Sequence, residues 1–355
     1  MENHPSLAVL MRNHTVTAAA FFSVPTIAQQ VRNNLPRFAR FVRTHKQFAQ
    51  QLIQLAYNTP PQYLETPELR NAVHAATDVL ASEDTPIAEL FLEPEGEDIP
   101  EEINGIQSEA QRLFEDEEAA TETEQVDRPV ELEKGELLCA SLEGFKEAEP
   151  NETCLGHLQK LFSFLVRTNP NAVLEFFQTH PEQRDILLGA LQHGAASTIL
   201  SQMLTCEDKT KEYAFESLKR SLLMHALESL LSHADDEFYF DGAMVLFEEV
   251  LNTTKQSYYE YFEDFKRVAN MLVSKDVLVR FRTLLDPKRP QAFRNASRYL
   301  EFLFTRINSE REDNSYYSRG EETEPTMEFE VDQFYEELPQ LIELTGSIGH
   351  TVSSS

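Results

Sequence analysis

The stretch "EFFQTHPEQRDILLGALQHGAASTILSQMLTCED", residues 175–208, holds two histidines, a cysteine, two serines and five carboxylates. It reads either as a catalytic cluster or as helices separated by corners. Pro181 follows His180, and a residue before proline avoids the α region. The spacing therefore predicts that one helix ends near Thr179 and another opens at Pro181, where a missing N–H costs nothing and Glu182 complements the helix dipole. Gly194, after His193, predicts a left-handed C-cap. Ile199, Leu200, Met203 and Leu204 then recur at helical spacing. Ser197 and Cys206 have no base partner at a fixed spacing, so the stretch reads as helix, corner, helix, corner, helix.

Outward from it the same pattern continues. The chain has 355 residues and only 11 Gly, the residue that tight turns and phosphate loops need. Residues 137–308 read as successive helices with connections of a few residues. No hairpin signal interrupts them, and Asp241-Gly242 falls inside a helical pattern. Upstream, "PRFARFVRTHKQFAQQLIQLAY" gives one apolar face through Phe38, Phe41, Val42, Phe48, Leu52 and Leu55. "TPELRNAVHAATDVLASEDTP" predicts a helix with Thr66 as N-cap and Pro67 at its first position. Such an array is either a compact bundle or an armadillo/HEAT-like solenoid, and the lack of long crossovers after residue 135 favours the solenoid. The expected organisation is a poorly ordered N-terminus at 1–30, an all-α helical-repeat domain at 31–310, and an acidic linker, short helix and tail at 311–355. Residues 93–134 form an acidic insertion too poor in apolar residues to offset the entropy of ordering, apart from "INGIQSEAQRLF", which has helical spacing.

The net charge is −29, and it is concentrated. Residues 93–152 carry 21 acids and four bases, and residues 309–340 carry 11 acids and two bases, whereas 153–308 hold 20 acids and 18 bases. Nucleic acid, which requires clustered positive charge, is not an expected partner. No run reaches the ~18 apolar residues of a membrane span. "TAAAFFSV" lacks the basic n-region of a signal peptide. Three dispersed cysteines give neither a zinc ribbon nor a disulfide framework and fit a reducing compartment, so a cytoplasmic or nuclear location is expected. The sequons at Asn13, Asn151, Asn252 and Asn295 then read as chance matches.

No phosphate-loop, dinucleotide, zincin, nucleophile-elbow or EF-hand motif occurs. Glu248/Glu249 and Asp235/Asp236/Glu237 read as caps and solvated charge, and His225 with Glu228 is a weak pair for a metal. No cofactor is expected. An enzyme using acids and histidines without a linear signature stays open as the least favoured reading.

"FSFLVRTNPNAVLEFFQTHPEQRDILLGALQHGAASTILSQML" resembles the SAPS domain of the regulatory subunits of type 6 (Sit-type) protein serine/threonine phosphatases. The matching positions are Asn169-Pro170, Phe176-Phe177-Gln178, Leu191-Gln192-His193 and Ile199-Leu200-Ser201. "NNLPRFARFVRTHKQFAQQLIQLAY" resembles the family's opening helix, and Ala76 with Val79-Leu80-Ala81-Ser82-Glu83 resembles its next conserved segment. Gly194, Asp78 and Ser201 depart from the family pattern. The resemblance spans about residues 30–310 and implies a helical-repeat fold and a non-catalytic scaffold. Its partner would be a type 6-like phosphatase catalytic subunit, with further adaptor subunits. A generic armadillo/HEAT-like adaptor in trafficking or transport is the alternative. Candidate contact residues are the basic face Arg37, Arg40, Arg43 and Lys46, and the ridge of turns at His193, Ser197 and Ser201, since exposed turns of stacked repeats are common contact points.

Overall fold

Among the described residues the chain forms helices and turns and no strand. The structure, a computed structural model, describes residues 5–13, 15–61, 66–81, 87, 90–92, 132, 135–147, 149–206, 215–256, 271–273 and 275–317. Two compact units, Met1–Phe164 and Leu165–Ser355, divide it. The acidic insertion 93–134, apart from Leu132, and the tail from residue 318, with the short helices expected in each, lie outside the described residues.

The first unit contains α1 (Leu7–Arg12), α2 (Ala18–Phe22), α3 (Ile27–Arg32), α4 (Leu35–Thr44), α5 (Lys46–Tyr57), α6 (Pro67–Leu80) and α7 (Glu136–Leu142). A long helix, α8 (Glu152–Thr168), carries the boundary between the units within its own length. Composition predicts little order before residue 30, yet α1–α3 form there. The reason is apolar burial: "AAAFF" packs against α5 and α6, and Phe21 and Phe22 are buried. The Phe21 ring lies 5.3 Å from Phe48 and 6.0 Å from Phe38, centroid to centroid. The Thr17 hydroxyl caps α2 by accepting from the Ala20 N–H, and Gln51 Oε1 accepts from the Ala18 N–H at 3.2 Å. A run resembling a weak signal sequence is thus the aromatic centre of this unit. At α6 the backbone places Thr66 at the N-cap as the sequence suggests, but its side chain makes no capping bond.

A buried polar knot closes the first unit. Asn58 Nδ2 donates to the Ala140 carbonyl and Asn151 Nδ2 to the Thr59 carbonyl, each at 2.8 Å. Asn151 Oδ1 also accepts from the N–H groups of Thr153 and Cys154 at the start of α8. Gly144 lies against Asn58 so closely that a Cβ there would sit 2.7 Å from Asn58 Oδ1. In the second unit Asn295 makes the equivalent bond to the Ala234 carbonyl, at 2.8 Å, and is fully buried. The amides of the sequons at Asn151 and Asn295 are therefore committed to the interior.

The second unit contains α9 (Pro170–Thr179), α10 (Pro181–Gly189), α11 (Gly194–Thr205), α12 (Glu216–Ser232), α13 (Glu237–Gln256), α14 (Lys275–Thr283) and α15 (Pro290–Tyr317). Helix α12 is continuous where the sequence allowed a break, and α15 extends through 309–317, where a linker is expected. The glycine after His193 is not a left-handed cap. Helix α10 ends at Gly189, the turn occupies 190–193, and Gly194 opens α11 with helical geometry. Helix α13 packs most extensively on α11. Gly242 permits that approach, because a Cβ at this position would lie 1.6 Å from the Leu191 carbonyl oxygen. The Phe281 and Tyr299 rings stack at 3.8 Å, and Tyr299 Oη donates to the Leu272 carbonyl.

One local design occurs in both units. The predicted single helix from Pro36 to Tyr57 is broken at His45, and the break copies the one at His180. Each corner follows a ten-residue helix whose N-cap is asparagine, Asn34 for α4 and Asn169 for α9. Each ends in Thr-His, with φ/ψ of −125°/72° at His45 and −121°/74° at His180, and the next helix begins immediately. The imidazole lies against the ring of the phenylalanine four residues back, tilted at 4.2 Å for Phe41 and stacked at 4.5 Å for Phe176. Its Nδ1 meets that residue's carbonyl at 2.8 Å and 3.0 Å. A carbonyl only accepts, so both rings carry their proton on Nδ1. The sequences "VRNNLPRFARFVRTH" (31–45) and "VRTNPNAVLEFFQTH" (166–180) share Val, Arg, Asn, Phe, Thr and His at matching positions.

Candidate functional site

The expected contact residues fall into one group per unit. In the first, Arg37 and Arg40 are exposed on α4, and Arg43 and Lys46 are half-buried. Their i, i+3 spacing puts the three arginines on one side of α4. Lys46, in the first turn of α5, lies 2.9 Å from Glu136 of α7. The three arginines share one side of α4, while Lys46 joins two helices of its own unit.

In the second unit the ridge around the 190–193 turn is only partly a surface. His193 is half-buried at the N-cap of α11, where its carbonyl accepts from the Ala196 N–H at 3.0 Å. Ser197 is fully buried, and its Oγ donates to the Leu191 carbonyl at 3.1 Å. That is the same carbonyl that approaches Gly242. Ser201 is also buried and donates to the Thr198 carbonyl at 2.9 Å. Both hydroxyls satisfy backbone oxygens in the interior, so neither can meet a partner at the surface. Sequence spacing alone could not reveal this, because the burial comes from α13 packing across the turn.

Several other polar residues of residues 175–206 have local structural partners. His180 closes the α9–α10 corner. Thr179 Oγ1 donates back to the Glu175 and Phe176 carbonyls. Cys206, at the C-cap of α11, donates to the Met203 carbonyl, and its own carbonyl accepts from Lys219. Tyr239 reaches this region from α13: its hydroxyl donates to the Leu188 carbonyl and contacts Ser229 Oγ. Burial raises the Tyr239 pKa, opposed by the Ser229 hydrogen bond. His233 repeats the corner chemistry at the end of α12, with Nδ1 2.9 Å from the Ser229 carbonyl and its ring stacked on Tyr239 at 4.5 Å.

Of the acids singled out in the sequence, Asp235 and Asp236 serve as ion-pair partner and cap. Asp236 Oδ1 accepts from the Tyr239 N–H at the start of α13, and Asp235 pairs with Arg289. Glu228 forms a two-pronged pair with Arg280, whose hydrogen bonds hold the carboxyl below its usual range. His225 is exposed. Burial pushes the Cys154 thiol up to about 11, which keeps it protonated. Among the described residues no group of three or more His, Cys, Asp or Glu is arranged to hold a metal ion, and no helix is long and apolar enough to cross a membrane.

The signal that the sequence reading passed over is the Phe-x-x-Thr-His repeat, at 41–45 and 176–180. It marks both corners, whereas proline marks only the second. Comparison with known proteins adds no relative: no family model, curated protein or solved structure matches the chain.

Proposed function

We propose that this chain is a non-catalytic, armadillo/HEAT-like helical-repeat scaffold that binds a serine/threonine protein phosphatase catalytic subunit and directs it to substrates. The observation that supports the scaffold reading is the corner built twice, once per unit, with asparagine at the N-cap position, the same helix length and the same Thr-His closure. Repetition of one supersecondary module is how helical-repeat proteins build extended binding surfaces. The choice of partner rests on the resemblance of residues 162–204, and more broadly of about residues 30–310, to the SAPS domain. The mechanism is positioning: holding an enzyme near its substrate raises the effective concentration without new chemistry. The exposed Arg37 and Arg40 offer charge for an acidic patch on the enzyme.

Affinity purification of the tagged full chain from cells, followed by mass spectrometry, tests the reading. A metallophosphatase catalytic subunit recovered at near-stoichiometric amount supports it. Repeated recovery of other partners with no phosphatase overturns the choice of enzyme and leaves a general adaptor.

A further inference from the structure

Helices α6 and α8 each bring one histidine to a shared contact in the first unit. The rings of His74 and His157 lie 6.0 Å apart, centroid to centroid, at an interplanar angle of 79°. His74 is exposed and His157 is half-buried. The His157 Nε2 is shut from solvent and has no hydrogen-bond partner. Buried polar atoms are nearly always paired, so a nitrogen in this state calls for a ligand. The corners, caps and clamps of the fold make no use of it.

We propose that His74 and His157 together bind a zinc ion across α6 and α8. Imidazole nitrogens suit zinc, copper and nickel, whereas magnesium and calcium take oxygen donors. The separation fits. With a Zn–N distance of about 2.0–2.1 Å, two imidazoles on one ion have centroids roughly 5–6.5 Å apart. The protonation state fits as well. Burial, then Lys160 and His74, hold His157 below its usual range, with Asp78 opposing, so the ring is neutral at neutral pH, the form that ligates. Lys160, one turn along α8, works against a cation here. Asp78, one turn along α6 from His74, works for it, although its carboxylate also lies 3.5 Å from Arg32. Affinity therefore rests on the two nitrogens. Two protein donors leave the remaining positions to water, which is the character of an open, exchangeable site, whereas a structural zinc site is closed by four protein donors. The exposed His74 gives the ion its way in. Bound there, the ion clips the helix that precedes the acidic insertion in the sequence to a helix that follows it. The proposal does not rest on the phosphatase reading, and its failure leaves that reading intact.

The test uses the full chain, stripped of metal by a chelator and dialysed, and titrates it with zinc sulfate in a calorimeter. Wild type takes up zinc at one saturable site per chain, and uptake persists in excess magnesium. Zinc also raises the thermal midpoint, since it binds the folded chain. His74→Gln and His157→Gln each weaken uptake at least about tenfold and abolish the thermal shift. His225→Gln, at an exposed position in the second unit, changes neither. Circular dichroism checks the fold of every variant. If His157→Gln disturbs it, His74→Gln, at the exposed position, decides alone. Affinity unchanged in His74→Gln overturns the proposal, because the ion is then held elsewhere. Absence of saturable uptake overturns it too, as does competition by magnesium, which makes the donors carboxylates.

Discussion

At the scale of single residues, two glycines in helices behave oppositely. Gly242 lies against the Leu191 carbonyl, whereas nothing stands within 4 Å of a Cβ built on Gly156. Gly242→Ala forces the turn at 190–193 away from α13, where close-packed backbone has no room to yield. It should destabilise the chain by about 3 kcal/mol, at the upper end for overpacking. Gly156→Ala should stabilise it by about 0.5–1 kcal/mol through helix propensity. Chemical denaturation of the two variants measures both signs. His157 supplies a pH dependence. Its pKa is lowered, first by burial and then by Lys160 and His74, with Asp78 opposing. The unfolded chain then binds a proton more readily than the folded one, so stability rises with pH. The contribution is complete above the unfolded value of about 6.5 and is lost progressively as pH falls below it. Stability curves from pH 7.5 down to 5, to within about half a unit, should slope less for His157→Gln than for wild type.

At the scale of elements, the corner is the unit of design. His45→Ala and His180→Ala each remove one hydrogen bond to a carbonyl and one ring contact, together about 2 kcal/mol. Native-state hydrogen exchange should quicken in α4 and α5 for the first variant and in α9 and α10 for the second. Uniform quickening across the chain would deny the corners a local role. This scale also separates what the sequence discloses from what it conceals. Helical periodicity is local, so α6, α9, α12 and α13 are legible from spacing, and Pro181 marks its corner. At His45 the apolar period runs through the break, because α4 and α5 both bury residues of the same face, and only the Thr-His step distinguishes it. Ser197 looks like an exposed turn residue until α13, some forty positions later in the chain, covers it. The stretch "AAAFF" falls in a segment expected to be poorly ordered because the residues it packs on, Phe38 and Phe48, belong to other helices. In residues 175–206 the side chains of Thr179, His180, Ser197, Ser201 and Cys206 make local hydrogen bonds that close corners and helix ends.

At the scale of the molecule, many polar side chains of the described residues are committed to corners, caps and buried clamps, and the two units expose surfaces of contrasting character. The arginines of α4 form a basic surface in the first unit, and α13 exposes Phe238 and Val245 in the second. That division suits a protein that holds others. The most direct test of the central claim is a binding titration between the purified full chain and a purified type 6-like phosphatase catalytic subunit, followed by sedimentation velocity. The account predicts a single one-to-one complex at micromolar concentration or below, weakened about tenfold by Arg37→Glu with Arg40→Glu. Two species sedimenting independently at every concentration reached would contradict it.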